Sequence, residues 1–260
     1  MGSEWFRRFG PVGGERPAAG AGTRLFCFPH AGGAASAFIA LARTLAPAVD
    51  VLAAQYPGRQ DRRTEEPFTD IGRLADALAD EVRRTGPSPY AFFGHSMGAV
   101  LAYETARRLG DRPGPVHLFL SGRGAPGPTP LVHDQLRSDA EVLAAVRRLG
   151  GTTAGIFDDP EILAMVLPTL RADYRALASY TWRAGPALSV PFTVMVGDSD
   201  PVVTVPEASA WSRFTTAGTD LKVFGGGHFY LDGHVAAVAE TVSRTLDARV
   251  PATTGTRHSR

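Results

Sequence analysis

The chain has 260 residues, 44% apolar and 20% charged, with a formal net charge of +1. That length and balance suit an α/β unit with a sizeable core. The near-neutral charge gives no electrostatic case for nucleic acid or an anionic membrane surface.

The single cysteine, Cys27, excludes an intrachain disulfide framework, and no CxxC pattern points to metal or redox chemistry. No apolar run is long enough to span a bilayer, and the start "MGSEWFRRFG" lacks the apolar centre of a signal peptide. A cytoplasmic protein without a cofactor is therefore expected.

Residues 1–22 are expected to form a flexible arm, on the strength of the Pro, Gly and Ala in "PVGGERPAAGAG" (11–22). The first predicted strand is "RLFCF" (24–28). It runs into Pro29-His30-Ala31-Gly32-Gly33 and then a helix. Cys27 reads as a buried strand residue. No Gly-Lys-Ser/Thr follows the glycines, so a P-loop is excluded. Next come the strand "VLAAQ" (51–55) and a helix on which Ile71, Leu74, Leu78 and Val82 share one face.

The strand "YAFF" (90–93) leads into Gly94-His95-Ser96-Met97-Gly98 and then a helical pattern. G-x-S-x-G between a strand and a helix is the nucleophile elbow: Ser96 occupies a sharp, strained turn, and Gly94 and Gly98 remove side chains that would collide with neighbouring elements. The plainer reading is a serine that only caps the helix. His95, adjacent to Ser96 in the turn, is expected to point elsewhere. The strand "VHLFLS" (116–121) follows.

From 126 to 186 the strand rhythm stops. "SDAEVLAAVRRLG" and "DDPEILAMVLPTLRADYRALASY" read as helices of an insertion, which either extends the scaffold or caps the carboxyl end of the sheet, where open α/β folds bind ligands. Ile162, Met165 and Leu170 are candidates to line a chamber there, though for each one alone packing of the insertion onto the core is the commoner outcome. The strand "PFTVMVG" (191–197) precedes Asp198-Ser199-Asp200-Pro201, and "LKVFG" (221–225) precedes "GGGHFYL". Val235, Val238, Val242 and Leu246 mark a final helix, and 249–260 read as a disordered tail. The core is thus expected over 23–125 and 187–248. Continuous apolar strands separated by helices predict a mainly parallel central sheet covered on both faces.

A serine needs a base. Of seven histidines, His228 follows a late strand in a glycine-rich loop and is the candidate; His234 opens the last helix and reads as a surface or capping residue. In the chain order Ser-Asp-His the acid falls after the strand ending at Gly197. Asp200 is preferred, and Asp198 is read as serving the turn itself. The oxyanion donors would be the amides of Met97 and Ala31. No ligand near His228 and His234 completes a zinc motif.

Together, "WFRRF", "LFCFPHAGGAASAF", "YPGR", "FFGHSMGA", "GDSDP" and "GGGHFYL", in this order, resemble the type II thioesterases, free-standing α/β-hydrolases that accompany polyketide synthases and nonribosomal peptide synthetases. The resemblance spans about Trp5 to Leu246. It implies an α/β-hydrolase fold with a helical lid insertion over 126–186, and the triad Ser96, Asp200 and His228 with oxyanion amides at Ala31 and Met97. It also implies that the partner is an acyl or peptidyl carrier protein whose phosphopantetheine arm bears the acyl substrate, and that the task is editing of stalled or wrong acyl groups. A chain-terminating thioesterase, a general esterase or lipase, and an idle hydrolase used for binding are the competing readings.

Overall fold

The computed structural model describes residues 4–10, 23–110, 114–129, 131–136, 138–150 and 159–249. Seven strands form one sheet: β1 (Phe6–Arg8), β2 (Thr23–Phe28), β3 (Val49–Ala54), β4 (Tyr90–His95), β5 (Leu118–Ser121), β6 (Phe192–Gly197) and β7 (Thr219–Phe224). Their spatial order is β1-β3-β2-β4-β5-β6-β7. Every neighbouring pair is parallel except β1 with β3. With flanking helices, this is the α/β-hydrolase fold that the sequence predicts.

The inner strands β2 to β6 are mainly apolar because both faces are covered, whereas the edge strands β1 and β7 carry exposed charged residues. Phe26, Phe28, Leu52 and Phe92 pack with α2 (Ile71–Arg84) and α3 (Met97–Leu109). Leu25, Cys27, Val51 and Phe93, one step out of phase, pack with α1 (Ile39–Leu45) and α8 (Val235–Arg249). The side-chain period of two along each strand sorts these residues into two cores. Asp70 caps α2 by accepting from the Arg73 amide at 2.8 Å, which satisfies one of the first-turn donors.

Residues 126–186 contain, among the described residues, no strand. They hold α4 (Asp139–Leu149) and α5 (Pro160–Ser179). Ser138 and Glu141 close a capping box on α4, and Asp159 caps α5 ahead of Pro160 at its first position. Leu170, Tyr174, Ala176 and Leu177 of α5 join the core that contains α2 and α3. Two short helices, α6 (Val205–Ser209) and α7 (Tyr230–Gly233), flank β7.

One expectation is corrected. Phe6–Arg8, assigned to the flexible arm, is the edge strand β1, with Phe6 opposite Ala54. The Phe6 ring is buried and meets Phe26 edge-on at 4.8 Å between centroids, while Arg8 Nε donates to Asp50 Oδ1 at 2.9 Å. The rest of the arm, 11–22, and the tail from 250 onward lie outside the described residues.

The strand order places the reversal of winding between β2 and β4. At such a switch point the loops leaving the two carboxyl ends diverge, and a ligand crevice opens. Phe28 of β2 and Gly94 of β4 lie opposite each other there. The Pro29–Gly33 loop and Ser96 therefore emerge side by side.

Candidate active site

Ser96 sits between β4 and α3 with φ +56° and ψ −117°, a rare backbone conformation for a residue with a side chain. Its hydroxyl makes no capping bond to α3, so the plainer capping reading has no contact behind it. Its amide donates to the Ser121 carbonyl at 2.8 Å, tying the corner to β5. The flanking glycines are required by space. A Cβ on Gly94 would lie 2.0 Å from the Gly98 carbonyl oxygen, and one on Gly98 would lie 1.8 Å from that of Phe28.

Asp200 and His228 come together. His228 Nδ1 lies 2.8 Å from Asp200 Oδ2, and the Val202 amide donates to Asp200 Oδ1 at 2.9 Å. Both side chains are buried. Asp198 is exposed and serves the turn: its Oδ1 accepts from the Gly226 amide at 2.9 Å and from the Ser199 hydroxyl at 2.8 Å. Those bonds, the Gly226 amide first, hold its carboxyl below the usual range. His234 Nε2 lies 2.9 Å from the Gly225 carbonyl, so it braces the loop that carries His228. His117 pairs with Thr193 Oγ1 at 2.8 Å, on β6, and His258 lies outside the described residues.

Met97 opens α3, and a first-turn amide has no intrahelical acceptor. In the Pro29–Gly33 loop, the Gly32 amide donates to Asp173 Oδ2 at 2.7 Å and the Gly33 amide to the His30 carbonyl at 2.9 Å. These two amides are engaged, and Ala31 supplies the next one toward β2.

His95 does not point elsewhere, as the sequence reading expected. Its ring centroid is 5.1 Å from that of His228. Its Nδ1 lies 2.9 Å from Ser121 Oγ, which lies 2.6 Å from the Tyr230 hydroxyl. Phe229 packs on His228, His95 and His30. Nothing in the sequence singles out Ser121, which reads as an ordinary strand end. Tyr230, two residues after His228, could have been found as a neighbour of the base.

Burial, then the nearby His228 and Arg59, pushes His30 down to about 4. Burial, then His228 and His30, pushes His95 well below its ordinary value. Burial raises the Cys27 thiol, which keeps it protonated and inert. Among the described residues no group of three or more His, Cys, Asp or Glu could hold a metal ion, and no helix is long and apolar enough to cross a membrane.

A serine on a nucleophile elbow at the switch point, with a carboxylate-held histidine on a later loop, is the arrangement of a serine hydrolase on the α/β-hydrolase fold. Comparison with known proteins narrows the class. The thioesterase domain model matches residues 23–246, and the chain belongs to the thioesterase family. A probable cadicidin biosynthesis thioesterase from Streptomyces griseus is 43% identical, over 96% of this chain and 68% of its own length. The type II thioesterase BorB of the borrelidin biosynthetic cluster superposes with a TM-score of 0.84 at 43% identity, covering 95% of this chain and 99% of that one. YbtT, a type II thioesterase of the yersiniabactin NRPS/PKS pathway, superposes with a TM-score of 0.81 at 28% identity, covering 94% and 99%. The type II thioesterase resemblance read from the motifs is thereby shown.

Two outcomes follow from this geometry. Asp200→Asn should lower kcat by about 10⁴-fold, as loss of the triad carboxylate does elsewhere, whereas Asp198→Asn should keep most of the activity; steady-state kinetics of the two variants read the difference. The histidines set a pH dependence of stability. Their folded values lie below the unfolded value, so the unfolded chain binds protons that the folded chain does not. Stability is therefore full above the ordinary histidine value of 6.5 and falls as pH drops toward about 4. Urea midpoints across that window should show the loss, and His30→Gln should flatten it; an unchanged slope would assign the loss to other groups.

Proposed function

We propose that Ser96, His228 and Asp200 are the catalytic triad, that the Ala31 and Met97 amides form the oxyanion hole, and that the substrate is an acyl group carried as a thioester on the phosphopantetheine arm of a carrier protein. The observation that carries the triad is the buried His228–Asp200 pair, 2.8 Å apart, on the loops that follow β7 and β6. With Nδ1 committed to Asp200, Nε2 is the nitrogen left to accept the Ser96 proton. Asp200 fixes that tautomer and stabilises the imidazolium.

Ser96 attacks the thioester carbonyl as His228 takes its proton, and the oxyanion forms between the two amides. The C–S bond breaks with its electron pair on sulfur, and the thiolate takes the proton from His228 and leaves as the thiol; its pKa is about 8.5 by analogy with cysteine, so it needs little assistance. Water, activated by His228, then attacks the acyl-serine, releasing the acid and restoring Ser96. His30 and His95, kept neutral by burial, place no cation beside the imidazolium that forms.

A cavity of about 870 Å³ opens beside this cluster, walled by His30, His95 and Phe229 on one side and by Phe38, Met165 and Val238 elsewhere. Its size suits an acyl chain. Met165 of α5 lines it, whereas Leu170 is buried in the core and Ile162 is not part of the wall. We assign α4 and α5 as a lid over this chamber. The kinship with type II thioesterases of the borrelidin cluster and the yersiniabactin NRPS/PKS pathway supports an editing role, in which stalled acyl groups are cleared from a synthase.

The test presents one short acyl group two ways, on a phosphopantetheinylated carrier protein and as a nitrophenyl ester. The carrier-bound group should be released faster, and Ser96→Ala should lower that rate by about 10⁴-fold or more. Turnover of the ester with the carrier protein untouched would move the chain to the general esterases. A Ser96→Ala variant with a tenth of normal turnover would remove the nucleophile assignment.

A further inference from the structure

Arg59 closes the "YPGR" motif, which the triad leaves without a task. It is buried, at 5% exposure, and pairs with Asp173 of α5, at 1%. The two are 114 residues apart in sequence. A buried ion pair at this separation joins two parts of the chain that nothing local brings together.

Both partners also hold the loop that carries Ala31. Asp173 Oδ2, which accepts from Arg59 Nη2, accepts from the Gly32 amide at 2.7 Å as well. Arg59 Nε donates to the Gly33 carbonyl at 3.3 Å, and Nη1 to the Pro57 carbonyl at 2.8 Å. Leu170, one turn before Asp173, fills the space at Gly32, where a Cβ would lie 2.4 Å from its Cδ2. The Ala31–Gly32 peptide is therefore oriented by a side chain of α5. The guanidinium also neutralises a carboxylate that would otherwise stand close to a developing oxyanion.

We propose that Arg59 and Asp173 are positioning residues that hold the Ala31 amide in its donor orientation and make the oxyanion site depend on the seating of α5. The inference rests on the reading of Ala31 as an oxyanion donor. Acyl transfer is then fast only while α5 is docked, so a displaced lid helix leaves the triad intact and the oxyanion hole incomplete.

Two double variants separate positioning from mere stability. Arg59→Met with Asp173→Leu, and Arg59→Met with Asp173→Asn, both remove the buried charges together, which proteins tolerate far better than removing one. They differ in whether residue 173 still offers an acceptor to the Gly32 amide. The Met/Leu variant should lose at least about tenfold in kcat at unchanged KM, as complete loss of one donor costs about 10²–10³, and the Met/Asn variant should recover most of it. Amide hydrogen exchange at residues 31–33 should rise in Met/Leu and return toward the parent value in Met/Asn. Equal kcat in the two variants, or exchange at 31–33 unmoved in both, would overturn the proposal. Exchange that follows the acceptor while kcat does not would overturn it by a different route, by showing that the loop is held as described but the Ala31 amide is not used. Should Met/Leu not fold, Arg59→Met with Asp173→Ala removes the same acceptor with less bulk, and parental kcat with parental exchange at 31–33 in it would overturn the proposal.

Discussion

The site depends on how closely α3 approaches the end of β2. At residue 98 there is no room for a single carbon, because it would lie 1.8 Å from the Phe28 carbonyl oxygen. That approach fixes the start of α3, and hence the Met97 amide, against the strand whose next residues are Pro29, His30 and Ala31. It also forces the backbone at Ser96 into its positive φ, a strain of order 1–3 kcal/mol. The strain persists because β4 is locked between β2 and β5, its core rings wholly buried, and because the Ser96 amide is bonded to Ser121. The proposed nucleophile and the Met97 amide are thus placed by one close approach of helix to strand, and the loop that carries Ala31 starts beside them.

His228 and Asp200, the proposed base and its carboxylate, are positioned by a second, independent pairing, of β6 with β7. Those strands run in parallel to Gly197 and Phe224, which brings the Asp200 turn beside the His228 loop. Asp198, exposed at the rim, ties the two loops through Gly226 and leaves Asp200 buried beneath. Division of labour between two aspartates two residues apart follows from their burial: one is solvated and structural, the other desolvated and paired.

Much of this is legible in sequence, for identifiable reasons. Strands β2 to β6 are almost wholly buried, so each shows as a mainly apolar run, whereas β7 at the sheet edge is only half-buried and shows through Leu221, Val223 and Phe224 alone. Val238, Val242 and Leu246 keep helical phase because one face of α8 is covered. Gly-x-Ser-x-Gly reports a steric constraint that only glycine meets, so it is visible in five letters. β1 is not legible, because three residues with two arginines carry no strand period; its identity comes from pairing with β3 and from one buried ring. The place of His95 is not legible either, because adjacency to Ser96 says nothing about where a strand-end ring packs. The Arg59–Asp173 contact is invisible for the plainest reason. Neither residue is unusual locally, and the contact exists only after α5 folds back over the sheet.

The central claim is that the corner between β4 and α3 presents a single activated serine. The direct measurement is reaction with a fluorophosphonate probe, followed by peptide mapping of the adduct by mass spectrometry. The account predicts one adduct per chain, on the hydroxyl of Ser96, formed far more slowly when His228 is replaced by alanine. A stoichiometric adduct on any other residue, or an actively hydrolysing protein that takes up no probe, would contradict it.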